Sequence, residues 1–248
     1  MKASDYIVSF ISERGVDTVF GYIGGMITHL VDSLARSNDV KFIQTYHEQT
    51  AAIAAEGYAI ENGKFGVAIS TSGPGATNMM TGIADAYFDS IPVLYITGQV
   101  NSYEYKYDKP IRQQGFQETD IISIVKPITK YAAFVDDAKN LRYELEKAIH
   151  IATTGRKGPV LLDIAMNVQR TDINPDELLG YKDDVNPIEE KFDLTEIVDL
   201  FSKSKRPMVL LGAGCIGDEV QKHLENFIFN HEIPVVTSLM GRGAIDET

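Results

Sequence analysis

The stretch FGVAISTSGPGATN, residues 65–78, decides the fold. Its first half is apolar and small, with no polar alternation. That pattern predicts a strand buried on both faces. Gly73, Pro74 and Gly75 then force a tight turn. Residues 77–89 follow with the spacing of a helix. A buried strand running through a turn into a helix is the repeating unit of a parallel sheet covered on both sides.

The same alternation continues outward. TVFGYIG (18–24) predicts a strand entering a turn, and residues 26–37 a helix. KFIQTYH (41–47) predicts a strand, and residues 48–61 a helix that ends at Asn62-Gly63. IPVLYITGQV (91–100) and GPVLLDIA (158–165) are further strands, with an amphipathic helix over 138–154. The expectation for residues 1–168 is an α/β fold, a doubly wound parallel sheet with helices on both faces. Residues 169–193, with two prolines and many acids, read as an interdomain linker. Residues 194–248 then repeat helix, strand, helix, strand, which predicts a truncated, Rossmann-like second α/β unit. One such βαβ unit buries little surface, so the chain reads as breaking off inside its second domain.

Composition sets limits on function. Of 248 residues, 44% are apolar, and the net charge is −12. So acidic a chain is a poor general binder of nucleic acid or of an anionic membrane. The one cysteine, Cys215, rules out a disulfide framework or a cysteine-built zinc site within one chain. The first fifteen residues do not read as a signal peptide, and no apolar segment is long enough to span a bilayer. The expected location is the cytoplasm.

Two glycine-rich turns invite a ligand. Gly212, Gly214 and Gly217 match a dinucleotide fingerprint after a strand. The acid that would hold a ribose hydroxyl should end the next strand, but that strand ends Thr237-Ser238-Leu239. A tight strand-to-helix turn accounts for this glycine run. Residues 70–78 are the second turn. Glycines at a strand's carboxyl end let a ligand approach the backbone, and the following helix offers free amides. A rigid crossover turn explains the same composition, and both readings stay open from composition alone. One carboxylate, Glu48, opens an otherwise alanine-rich helix behind His47. Taken alone it complements a helix N-terminus.

Seven motifs in order change that balance. They are FGYIGG (20–25), YHEQTAAIAAEGYA (46–59), STSGPGATN (70–78), ADAYFDSIPVLYITGQV (84–100), GFQETDI (115–121), TKY (129–131) and GRKGPVLLDI (155–164). Together they resemble the N-terminal pyrimidine-binding domain of thiamine-diphosphate enzymes of the acetolactate synthase type, over residues 1–168. PMVLLGAG and SLMGRGA resemble the opening of that family's central domain.

The resemblance implies a catalytic role for Glu48. In the family this glutamate hydrogen-bonds a ring nitrogen of the cofactor's aminopyrimidine. Sharing a proton there favours the imino form of the exocyclic amine, which deprotonates the thiazolium carbon. An aspartate would be a methylene short, and a glutamine could not pass a proton. The resemblance also places Tyr22, Ile23, Gly24 and Gly25 in a loop beside cofactor and substrate. It places Thr71, Pro74 and Asn78 around the pyrimidine, and Gln117 near the cofactor. Phe116 and Lys130 fall on the substrate side, Lys130 at the site entrance. His47 is structural. Alanines of the helix beginning at Glu48, and Gly82, Ala84 and Ala86 of the next, suggest close packing against a second copy, as a homodimer or homotetramer.

The whole enzyme implied would decarboxylate a 2-keto acid, pyruvate above all, and transfer the two-carbon unit to a carbonyl acceptor. A decarboxylase or oxidase of the same family is the alternative, as is a partner-requiring subunit that supplies only the pyrimidine half-site. There are departures. Ile23 stands where relatives have proline. Residues 102–114 form a longer, more aromatic segment in place of a loop that sets substrate choice and flavin contacts, which leaves FAD open. Family members hold the diphosphate and its Mg2+ through a Gly-Asp-Gly motif in a C-terminal domain. That motif is not in this sequence, so no metal ligand is expected here, and the chain alone is expected to be inactive.

Overall fold

Six parallel strands in the order β2-β1-β3-β4-β6-β5 form the first unit's sheet. The computed structural model describes residues 1–183, 193–216 and 218–246. The chain runs α1 (Ala3–Glu13), β1 (Thr18–Gly21), α2 (Thr28–Arg36), β2 (Lys41–Gln44), α3 (Glu48–Asn62) and β3 (Gly66–Ser70). It continues with α4 (Pro74–Asn78), α5 (Met80–Asp89), β4 (Val93–Gln99), α6 (Ile121–Val125) and β5 (Tyr131–Val135). Then come α7 (Leu141–Thr153), β6 (Val160–Ala165) and α8 (Met166–Arg170).

Side chains that alternate along each central strand build two cores. Val67, Ile69, Leu94, Ile96, Leu162 and Ile164 pack under α1, α2 and α7. Ala68, Tyr95 and Leu161 point the other way, under α3, α5 and α6. Every residue of β3, β4 and β6 is buried, as a sheet covered on both faces requires. The chain enters at β1, goes outward to β2, then returns past β1 to β3. The direction of winding therefore reverses between β1 and β3, and the crevice at the carboxyl ends of those strands is where such sheets take ligands.

Some elements differ from the sequence expectation. The helix expected over 77–89 is two pieces, α4 and α5, joined at Met79. β5 was not foreseen: YAAFV is a short edge strand paired with β6 alone, and only Val135 is buried. Residues 169–173 are not a free linker. Gln169 is 1% exposed and donates to Met26 O and Ile164 O. Ala3 N donates to Thr171 O, and Ile173 N to Met1 O. The first unit runs from Met1 to Asp183. Of the expected linker, residues 184–192 lie outside the described residues.

Most of the small residues expected to meet a second copy are used inside the chain, while Ala54 and Ala84 stay half-buried. Ala51, Ala52 and Ala55 of α3 and Gly82 and Ala86 of α5 are all buried, and an added Cβ on Gly82 would sit 2.5 Å from that of Ala52. They bring the two helices together.

The second unit has α9 (Thr195–Lys203), β7 (Val209–Leu211), α10 (Asp218–His231) and β8 (Val235–Thr237). β7 and β8 pair in parallel over a small core of Leu211, Ile228 and Ala244. Of the expected dinucleotide turn, Gly212 caps a 3-10 turn that contains Gly214, and Gly217 lies outside the described residues.

Asp163 lies on the second-core side of β6, with Leu161, at 2% exposure, where it accepts from Thr97 Oγ1 (2.7 Å) and Gln99 Nε2 (2.8 Å). Burial outweighs these two bonds and pushes its carboxyl up to about 7. Glu56 on α3 is pushed to about 7 as well, by desolvation first and then by Asp85 and Asp89. Both folded values are raised above the ordinary ones, so the fold prefers the protonated forms. Their stabilising effect is complete below the ordinary carboxylate range and is lost as the pH rises through about 7. Unfolding free energy is therefore expected to fall between roughly pH 5 and pH 8. Asp163→Asn is expected to flatten that decline, measured by urea titration, because only Glu56 then contributes. An unaltered slope would show that Asp163 does not titrate in this range.

Candidate active site

Glu48 opens α3 just beyond the carboxyl end of β2, and its side chain is buried, with 7% exposure for the residue. The entry to this helix is fixed by two side chains. His47 is the N-cap, and its Nδ1 accepts from Gln49 N at 3.1 Å. Thr45 donates through Oγ1 to His47 O, and its own N–H reaches Gly21 O at the end of β1. His47 thus shapes the turn that aims Glu48.

Asn78, the last residue of α4, meets that carboxylate. Its Nδ2 donates to Glu48 Oε2 at 2.9 Å. Glu48 Oε1 has no hydrogen-bond partner among the described residues. It lies beside Gly75, where an added Cβ would come within 3.3 Å of Oε1 and 2.7 Å of Thr71 Cγ2. Asn78 and Pro74 are exposed, while Gly73 and Gly75 are buried between them. One side of the carboxylate is anchored, and the other borders a glycine-lined space at the rim of the sheet.

The loop of residues 22–26 closes on the same turn. Met26 N donates to Thr71 Oγ1 at 3.1 Å, and Gly24 passes so close that an added Cβ would meet Thr71 Cβ at 2.4 Å. Tyr22 and Ile23 stay exposed at the lip, and Gly25 faces open space. From the other direction comes Gln117. Gly73 adopts φ 61° and ψ −125°, open in practice only to glycine, and its vacant Cβ position lies 2.9 Å from Gln117 Cβ. Phe116, next to it, is 74% exposed.

The structure thus brings together Glu48, Thr71, Pro74, Asn78, Gln117 and residues 22–25 around the switch between β1 and β3. Lys130 is not among them. It precedes β5 at the amino edge of the parallel sheet, and its ammonium is bound to the carbonyls of Ile151 and Thr154. Burial lowers its pKa. There it borders a cavity of about 300 Å³ with Tyr87, Phe88, Arg156 and Lys157.

Two features of the rim escaped the sequence. Glu118 is 5% exposed and accepts three backbone N–H groups, from Lys106, Gln114 and Gly115. It folds the segment that carries Phe116 and Gln117. Nothing in GFQETDI marks this acid among so many others. Most of the aromatic segment over 102–114 is exposed, but two of its tyrosines reach β5 and the residue after it. Tyr105 packs on Phe134 of β5 at 4.6 Å, and Tyr107 donates to Asp136 Oδ2.

Comparison with known proteins gives the family. The family described as thiamine pyrophosphate enzyme, N-terminal TPP binding domain, matches residues 1–124. Its central domain matches residues 194–248. The chain belongs to the thiamine pyrophosphate enzyme family. It is 38% identical to a chloroplastic acetolactate synthase of Arabidopsis thaliana, over 98% of this chain and 36% of that protein. It is 38% identical to the acetolactate synthase large subunit of Corynebacterium glutamicum, over all of this chain and 39% of the relative. A probable acetolactate synthase large subunit of Methanocaldococcus jannaschii gives 38% identity over all of this chain and 42% of the relative. The chain therefore spans about two fifths of the length of these relatives. Among the described residues no helix is long and apolar enough to cross a membrane.

Proposed function

We propose that this chain supplies the pyrimidine-binding half-site of a cytoplasmic, thiamine-diphosphate-dependent enzyme of the acetolactate synthase type. The whole enzyme decarboxylates a 2-keto acid, pyruvate, and transfers the two-carbon unit to a carbonyl acceptor. One observation carries the reading. A buried carboxylate, Glu48, lies at the switch point of a parallel sheet with one oxygen anchored and the other facing a glycine-lined space.

That arrangement fits an aminopyrimidine. Glu48 Oε1 holds or gives up a proton at a ring nitrogen, at the edge where Gly75 leaves room. Thr71, clamped to Met26, forms the wall. Gln117 and Phe116 line the approach, with Tyr22 and Ile23 at the lip. When bound, thiamine diphosphate would supply a thiazolium carbon acidic enough to serve as a carbon nucleophile. The diphosphate and its Mg2+ belong to a further domain of the whole enzyme, and a homodimer or homotetramer completes the site.

The test is product analysis. The complete enzyme, given pyruvate, thiamine diphosphate and Mg2+, with and without FAD, is expected to release carbon dioxide and form acetolactate. Acetaldehyde or acetate without acetolactate would favour a decarboxylase or oxidase, whose acceptor the segment over 102–114 would then set.

A further inference from the structure

Asn78 faces Glu48 rather than the open space. Its amide nitrogen is 2.9 Å from Oε2, and a carboxylate oxygen can only accept from it. The chemical type of this partner matters. A lysine or arginine at the same place would hold Glu48 permanently charged and oppose protonation. A serine or threonine hydroxyl could donate or accept, so it would not decide which oxygen carries a proton. An amide N–H donates without being acidic, and it adds no net charge. Glu48 also has no ion-pair partner among the described residues.

We infer that Asn78 is a positioning residue for Glu48, holding Oε2 as an acceptor so that proton sharing with a bound aminopyrimidine runs through Oε1 alone. The inference rests on the proposed function and adds direction to it. Three features converge. Oε2 is engaged, Oε1 has no partner, and Gly75 keeps the space beside Oε1 open. α4 carries the donor and α3 the acceptor, so the contact also fixes the helix that begins with Glu48 against the turn over 71–75.

Two measurements test it. In the cofactor-free chain, the side-chain amide resonances of Asn78 are expected to shift in Glu48→Gln, because their acceptor changes from a carboxylate to an amide carbonyl. Asn78 amide resonances that are the same in both chains overturn the inference. In the complete enzyme, Asn78→Ala is expected to slow exchange of the bound cofactor's thiazolium proton about tenfold, the worth of one hydrogen bond to a charged group. Asn78→Asp replaces the donor with an acceptor of the same size. It should lose as much activity at high pH and recover as the pH falls and the two carboxyls share a proton. A merely structural role would not move that pH profile, and Asn78→Asp carries the test if Asn78→Ala fails to fold. If Glu48→Gln is slow and both Asn78 variants exchange at the normal rate, the positioning role fails and the proposed function stands. If Glu48→Gln also exchanges normally, both fail.

Discussion

Glu48→Gln in the complete enzyme is expected to slow exchange of the thiazolium proton by about two to four powers of ten, the range for loss of a positioned acid–base group. The fold should survive. Glutamine keeps the length of the side chain, and its carbonyl oxygen can still accept from Asn78 Nδ2 in place of Oε2. What changes is the other arm. Where Oε1 faced the space beside Gly75, an amide N–H now points, and it cannot pass a proton. A carboxylate that merely complemented a helix N-terminus would predict a different result. Its loss would lower stability by only about 0.3–1 kcal/mol and leave turnover normal. Exchange in bound cofactor, compared between wild type and variant, separates the two. Equal rates would remove Glu48 from the mechanism.

Residue types and spacings made most of the sheet legible in advance. Runs such as GVAIS and VLYIT read as buried strands because a parallel sheet between two helical layers has no wet face for a polar residue. β5 did not read this way. At the edge of the sheet it pairs with one neighbour, and its two central alanines break any alternation of apolar and polar residues. The break at Met79 was hidden too, because neither glycine nor proline interrupts residues 76–81 and only the capping hydrogen bonds separate α4 from α5.

At the site, the motif order pointed to Glu48 and to the turn over 71–75, since each motif ends or begins an element at one rim. Lys130 shows the limit of carrying a role over by residue type. It sits one residue ahead of β5, and direction along a parallel strand puts it on the opposite rim. The sequence had no sign of that strand. The bond between Asn78 and Glu48 joins residues thirty positions apart, and Glu118 gathers amides from positions 106 to 115. Such contacts depend on how loops close, and no local period encodes them.

Gly98→Ala is expected to cost about 3 kcal/mol of stability or more, at the upper end for an overpacked core position. Gly98 lies in β4, paired through the sheet with Ile164 of β6. An added Cβ there would sit 2.0 Å from Met26 O, 2.5 Å from Met26 C and 3.1 Å from Ile27 N. All three atoms are backbone, so no rotamer change relieves the clash. The strand cannot retreat, because it is hydrogen-bonded on both sides by β3 and β6. The loop of residues 22–26 has to move instead. That motion strains two bonds that hold the loop, Met26 N to Thr71 Oγ1 and Gln169 Nε2 to Met26 O. Stability and the cofactor rim are therefore coupled at one missing methyl group. Urea titration of the chain gives the first readout. Gly57→Ala is the control in the same unit, since Gly57 lies in α3 with open space around it. There alanine is expected to raise stability by up to about 1 kcal/mol, through helix propensity. A Gly98→Ala midpoint equal to wild type would show that the loop yields without cost, and the coupling would be lost with it.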